Sequence, residues 1–328
     1  MKYCEFIEET YKKAAEKGIS DIFDKEANYV ETGYDRIMTG QVFKQYGIIP
    51  RYFNAVEDVD TSVEIFGQKF PMPIFPAALS RLTNITEKPI QKIAQAAKEL
   101  QIMTQLGISN DDLLREVAAV GAPLVKIMKP YRDFGKMKAE VELANECGLF
   151  AVGVDLDLSF GKKMNDDIFF NDTFSPKSAD QIYQLIEMAQ MPFILKGVLS
   201  VEDAIIARDI GCGAVVVTNH GNMKVDYQVQ PVEVLPKIKE VLGKEMKIIA
   251  EGGISRGSDI YKCLALGADA VCVGKMAWMG LIANEVQGVV DIFRILNDEL
   301  KRYMQSTATA KLSDIDGSAL LKRDIIIP

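Results

Sequence analysis

From residue 73 onward the chain alternates short apolar runs with segments of helical period. The runs are PIFPAAL (73–79), QIMTQLG (101–107), PLVKIM (123–128), LFAVGVDLD (149–157), PFILKGV (192–198), AVVVTNH (214–220), KIIAEGG (247–253) and AVCVGK (270–275). Near-continuous apolar runs of this length, bounded by Gly and Pro, read as strands buried on both faces of a parallel sheet. Segments between them, such as IQKIAQAAKEL and DIYKCLALGA, read as the intervening helices. Eight such units in succession predict an α/β fold, a (β/α)8 TIM barrel. No G-x-G-x-x-G follows any of the runs, which argues against a doubly wound dinucleotide-binding sheet. Residues 1–45 read as a helical N-terminal extension, and 46–72 add a short β segment around FGQKFPMP. Residues 276–303 read as one or two closing helices, and 304–328 as a polar tail. With no linker and no second core, 1–328 reads as one domain: extension to 72, barrel strands over 73–275, closing helices and tail from 276.

Composition narrows the function classes. The formal charge of -8 disfavours nucleic acid and anionic membrane surfaces as partners, and no apolar run reaches the roughly 18 residues of a membrane span. The partner expected is a small molecule. Cys4, Cys147, Cys212, Cys263 and Cys272 are odd in number and show no C-x-x-C spacing, so neither disulfides nor a structural zinc is expected. No metal site is predicted, and the compartment expected is a reducing cytoplasm.

In a barrel of this kind, side chains at the C-terminal ends of the strands face one mouth. Those ends collect Pro76, Ala77, Ala78, Thr104, Lys126, Met128, Asp157, Lys196, His220, Glu251, Gly252, Gly253, Gly274 and Lys275. The single histidine of the chain thus ends the sixth strand, with a lysine ending the fifth and an aspartate ending the fourth. A lone histidine at a strand end is often structural, and an aspartate there often only caps a helix. A lysine inside FILKGV has no bland use, and the three together point to acid–base chemistry. After the seventh strand, EGGISRGSDI (251–260) lets backbone N–H groups approach a ligand at a helix start. Together with Gly274-Lys275 it matches the phosphate site that recurs after strands seven and eight of such barrels, with Arg256 and Lys275 as countercharges.

Four stretches carry a resemblance: PRYFNAVEDVDTSVEIFGQKFPMPIFPAAL (50–79), MPFILKGVLSVEDA (191–204), VVVTNHGNMKVD (215–226) and IIAEGGISRGSDIYKCLALGADAVCVGK (248–275). In order and spacing they resemble the FMN-dependent α-hydroxy-acid oxidases and dehydrogenases, the lactate oxidase and glycolate oxidase group. The resemblance implies FMN at the mouth, with Pro76 to Ala78 against the ring, Lys196 beside it, and Gly252–Gly253 and Gly274–Lys275 at its phosphate. It implies His220 as the base, Asp157 as its carboxylate partner, and a homo-oligomer, tetrameric in the family.

The departures concern the substrate. The family grips the substrate carboxylate with arginines and tyrosines. An ungapped alignment puts Met223 at the arginine past the histidine and Met164 at or near the other. The third-strand tyrosine falls on Met128 and the N-terminal tyrosine on Lys25. A flavin-side glutamine falls on Lys126, Glu251 stands where Asp is usual, Lys275 stands for Arg, and Ser255 lacks the basic residue that its neighbour Arg256 retains. Methionine cannot replace a bidentate arginine. Lys25, Lys126, Lys162, Lys163 and Lys224 remain as cations that could hold an acid in another pose. Three readings stay open at this point: an oxidoreductase with an atypical substrate, a non-redox flavin-dependent isomerase or FMN-binding descendant, and a nucleotide-acting barrel dehydrogenase. The last lacks a cysteine in any strand-end loop.

Overall fold

The structure, a computed structural model, describes residues 1–23, 30–80, 82–164, 167–169, 173–221 and 224–324. Eight parallel strands follow the eight apolar runs: β1 (Ile74–Pro76), β2 (Thr104–Leu106), β3 (Leu124–Met128), β4 (Ala151–Asp155), β5 (Phe193–Lys196), β6 (Ala214–Val217), β7 (Lys247–Glu251) and β8 (Ala270–Val273). Each pairs with its sequence neighbour, β8 also pairs with β1, and a parallel bridge between Leu79 and Leu106 closes β1 onto β2. The result is the predicted (β/α)8 barrel. Helices follow in the same rhythm: α1 (Pro89–Glu99), α2 (Asp111–Ala119), α3 (Phe134–Glu146), α4 (Ala179–Met188), α5 (Val201–Asp209), α6 (Pro231–Leu242), α7 (Gly257–Ala265) and α8 (Lys275–Ser306). Asn110, Asp133, Ser178 and Ser200 cap their helices by accepting first-turn N–H groups, which fixes where each βα loop ends.

The barrel wall is packed closely enough to select glycine. A Cβ on Gly153 in β4 would lie 2.2 Å from the Ile194 carbonyl oxygen of β5. At the end where the strands begin, the hairpin Val63–Ile65/Gln68–Phe70 plugs the barrel. Phe70 packs edge-on against Phe75 and Phe150, with ring centroids 5.3 and 5.7 Å away. The β segment read around FGQKFPMP is this plug. The opposite end is left for chemistry.

Helices Tyr3–Glu16 and Tyr34–Val42 form the N-terminal extension. The closing element α8 is bent where Asn284 and Glu285 leave helical geometry, so it is two helical segments in one run. The tail returns to the body, Leu320–Lys322 pairing antiparallel with Tyr46–Ile48. Among the described residues no helix is long and apolar enough to cross a membrane.

Candidate active site

His220 stands just past β6 in the left-handed region, at φ 54°, and Gly221 follows at φ 67°. This turn swings the imidazole over the mouth. The Thr218 hydroxyl accepts from the His220 N–H (3.0 Å) and reaches Glu251 Oε1 of β7 (3.2 Å). The ring is 15% exposed. Its Nδ1 lies 3.4 Å from Asp157 Oδ1, 3.5 Å from Asp155 Oδ1 and 3.4 Å from Lys196 Nζ. The three residues singled out in the sequence therefore meet around one nitrogen.

Two further groups were not foreseen. Asp155, the last residue of β4 and fully buried, forms an ion pair with Lys196 at 3.1 Å and a second with Lys129. Lys196 also faces Glu251 Oε1 at 3.0 Å. Asp157 lies beyond the strand, in a short 3-10 turn over Leu156–Leu158. The signal for Asp155 was present in VGVDLD, where two aspartates stand two apart, but only the second was read as the strand end.

The charges set the protonation. The Lys129 and Lys196 ammoniums hold Asp155 far below the usual carboxylate range despite its burial. Asp157 is likewise lowered, by His220 and Lys224 against the effect of burial. Lys196 is raised by Asp155 and Glu251, again against burial, and stays charged. Burial first, then Lys196, push His220 below its ordinary value although both aspartates pull it up. The imidazole is thus neutral at neutral pH and able to accept a proton. Asp155, Asp157 and His220 offer three donor atoms within 4.8 Å of one another, but the two ammoniums already on Asp155 compete directly with a divalent cation.

The third strand corrects the alignment. In β3, Val125 and Ile127 pair in register with Ala151 and Gly153, the positions that share the inward face with Asp155. Lys126 and Met128 therefore turn toward the helices. Lys126 Nζ donates to the Gly107 carbonyl (2.7 Å) and the Ser109 hydroxyl (3.0 Å) and faces Glu140 of α3 at 3.5 Å. Met128 is buried in the core. Side chains alternate across a strand, so an error of one residue moves every group to the other face. Lys129, not Met128 or Lys126, reaches the mouth. By the same alternation β2 turns Gln105 inward, donating to Cys272 Sγ at 2.9 Å, while Thr104 shares the opposite face.

At the expected phosphate end the structure pairs Arg256 with neighbouring side chains. Arg256 stands at the position just before α7, and its Nε lies 3.0 Å from both Glu299 carboxylate oxygens while its guanidinium stacks 4.1 Å from the Tyr3 ring centroid. The Ser255 and Arg256 N–H groups donate to Asp259 Oδ2, and Gly257 N–H donates to Glu299 Oε2. The start of α7 is thus satisfied by Asp259 of α7 and Glu299 of α8. Gly252 and Gly253 hold positive φ (122° and 71°). Gly274 stands beside Ala77, whose Cβ would be 3.6 Å from a Cβ there. Lys275 follows, exposed, at the first position of α8. Pro76 and Ala77 are buried and Ala78 half-buried along the same rim. Lys25 and Met223 lie outside the described residues.

A flavin needs hydrogen-bonding partners for its polar edge and a cationic end for its phosphate. Gln105 Oε1 and Glu251 Oε2 are buried without partners among the described residues, and the N-terminus of α8 with Lys275 supplies positive potential. The residues present fit FMN. A family model described as FMN-dependent dehydrogenase matches residues 20–179 and 161–322. The chain belongs to the FMN-dependent dehydrogenase family. FMN is accordingly its cofactor, and its activity is that of a flavin oxidoreductase. It is 26% identical to mouse (Mus musculus) 2-hydroxyacid oxidase 1 over 359 residues, covering 98% of this chain and 96% of the relative. It is 27% identical to 4-hydroxymandelate oxidase of Amycolatopsis orientalis, covering 87% and 89%. Among solved structures it resembles a mandelate oxidase variant with the monooxide FMN adduct (TM-score 0.83, 27% identity, 94% and 98% coverage). It also resembles one with the C4a-OH-FMN adduct (TM-score 0.87, 25% identity, 97% and 99% coverage).

Proposed function

We propose that the protein oxidises a 2-hydroxy acid to the 2-oxo acid, with His220 as the base. The observation that carries this reading is the neutral imidazole flanked by Asp155, Asp157 and Lys196, with Nδ1 within 3.5 Å of all three. Nδ1 cannot both accept from Lys196 and donate to a carboxylate. Donating its N–H to Asp157 or Asp155 leaves the Nε2 lone pair as the basic site. The substrate hydroxyl proton goes to Nε2, and the resulting imidazolium faces two carboxylates that stabilise it. Bound FMN supplies the acceptor for the hydrogen and electron pair leaving the carbon. Lys196 holds a fixed positive charge beside the reacting centre, where preorganised charge stabilises developing negative charge.

On this reading Pro76, Ala77, Ala78 and Gln105 border the ring, and Gly252, Gly253, Gly274 and Lys275 border the phosphate. The named relatives, a 2-hydroxyacid oxidase and a 4-hydroxymandelate oxidase, support a hydroxy acid as the substrate class. A non-redox descendant is not favoured, because base, carboxylates and lysine are all retained. The nucleotide-dehydrogenase reading has no nucleophile at a strand end: Cys212, Cys263 and Cys272 are buried and burial raises all three thiols, Cys212 to about 12, while Cys4 lies in the helix Tyr3–Glu16 and Cys147 directly follows α3. A single domain in a reducing cytoplasm, assembled as a homo-oligomer, completes the reading.

The experiment is anaerobic mixing of the FMN-loaded protein with a panel of 2-hydroxy acids. Loss of the oxidised-flavin absorbance with formation of the 2-oxo acid is the expected result. A panel that leaves the flavin oxidised throughout would overturn the assignment.

A further inference from the structure

Among the described residues of the mouth, Glu251 Oε2 is left unpartnered on the flavin side, and two further charged atoms are left over on the Asp157 side. Lys224 Nζ and Asp157 Oδ2 are both buried, and neither has a hydrogen-bond partner among the described residues. Asp157 spends its other oxygen on His220. Lys224 is faced by Asp157, Asp155, Lys129 and Lys196. Asp155 is already met by the two lysines other than Lys224, and Asp157, the carboxylate that faces Lys224 most strongly, makes no hydrogen bond with it among the described residues. An ammonium has three donors and no acceptor, and an ionised carboxylate oxygen has only acceptors. Buried charged groups are normally paired or hydrogen-bonded. A ligand that supplies both missing partners must carry an anion for Lys224 and a donor for Asp157.

We propose that Lys224 anchors the substrate carboxylate and that Asp157 Oδ2 accepts from a second hydroxyl, so the substrate is a dihydroxy acid of the 2,3-dihydroxy type. This rests on the hydroxy-acid reading above, because the first hydroxyl is the one facing His220. It assigns to a single lysine the task that arginine performs by bidentate contact elsewhere. An ammonium grips a carboxylate as a point charge without fixing its plane. The second contact, at Asp157, then supplies the orientation that one ammonium cannot.

Two measurements on the FMN-loaded protein test this. The first titrates oxalate, an anion that cannot be oxidised as a hydroxy acid, and follows the shift in flavin absorbance. Lys224→Met weakens oxalate by about 10- to 100-fold, the loss of one charged hydrogen bond, while Lys224→Arg stays within about tenfold of wild type. Equal oxalate binding by Lys224→Met would overturn the anchor. The second compares glycerate with lactate, which differ by the C3 hydroxyl. The wild type favours glycerate by about tenfold or more in kcat/KM. Asp157→Ala slows both substrates but brings that ratio toward one, a change that general damage to the base would not produce. A wild type indifferent between the two acids, or a ratio untouched by Asp157→Ala, would overturn the second contact. If Lys224→Met loses oxalate while no hydroxy acid reduces the flavin, the anchor is supported and the hydroxy-acid reading fails by itself.

Discussion

Asp155 and Lys196 face each other across neighbouring strands at 3.1 Å, with side chains 0% and 2% exposed. The pair joins the end of β4 to the end of β5 directly beneath His220. Lys196 also answers Glu251, so it neutralises two carboxylates in the barrel interior. Replacing it with methionine strands buried charge, and breaking a buried pair typically costs about 3–5 kcal/mol. Lys129 remains on Asp155, which sets the expectation for Lys196→Met at the lower end of that range. Denaturant titration checks it. The same variant should bind sulfite at the flavin more weakly, because the adduct's negative charge loses a neighbour. An unchanged adduct would place the lysine away from the flavin.

The phosphate assignment separates two cations that the sequence treated alike. Arg256 is engaged with Glu299 and Tyr3, whereas Lys275 opens α8 beside Gly274. Arg256→Ala is expected to leave FMN affinity within about threefold and to lower stability by about 0.2–1 kcal/mol, the range for an exposed ion pair. Lys275→Ala should weaken FMN by roughly tenfold or more. Equilibrium dialysis of FMN against both variants distinguishes them, and the reverse order would move the phosphate to α7.

Gly153 tests the barrel wall itself. An added Cβ would sit 2.2 Å from the β5 backbone, where no flexible side chain can give way. Gly153→Ala is therefore expected to cost about 3 kcal/mol or more, the upper end for overpacking, seen as a lowered Tm or loss of soluble protein. A normal Tm would mean that β4 and β5 are further apart.

Much of the fold was legible because each βα unit repeats one signal. A buried parallel strand is apolar on both faces, and eight such runs at regular spacing admit few architectures. The histidine, Lys196 and Asp157 were legible because the barrel sends every strand end to one mouth. What failed was register. An ungapped alignment assigned Lys126 and Met128 to the mouth, while the observed pairing gives that role to Ile127 and Lys129. Nothing local in PLVKIMKP reveals which parity faces inward, since every residue of β3 is buried. The engagement of Arg256 was hidden for a different reason: its partner Glu299 is 43 residues away in sequence, and only the packing of α7 on α8 brings them together.

The pH profile follows from two opposed shifts. His220 is held below its ordinary value of about 6.5. It remains neutral through pH 7, and the acid limb of kcat/KM should fall below that value. The unfolded chain takes up this proton first as pH drops, so stability also declines from about 6.5 toward the folded value. Burial pushes Lys224 down to about 8, so oxalate affinity should weaken as pH rises through that point. Folding itself gains from the same shift as pH climbs from about 8 toward 10.4, because the buried charge is shed. Steady-state kinetics and oxalate titration across pH 5–10 check both limbs. An acid limb above about pH 7 would mean that the aspartates outweigh burial at His220.

The base is tested most directly by the rate of anaerobic flavin reduction in His220→Asn, mixed with whichever 2-hydroxy acid reduces the wild type. The account predicts FMN content and Tm close to wild type with reduction slowed by about 10²–10⁴-fold, the usual contribution of a general base. A variant that loses stability yet reduces its remaining flavin at the wild-type rate would contradict it and make His220 a structural residue.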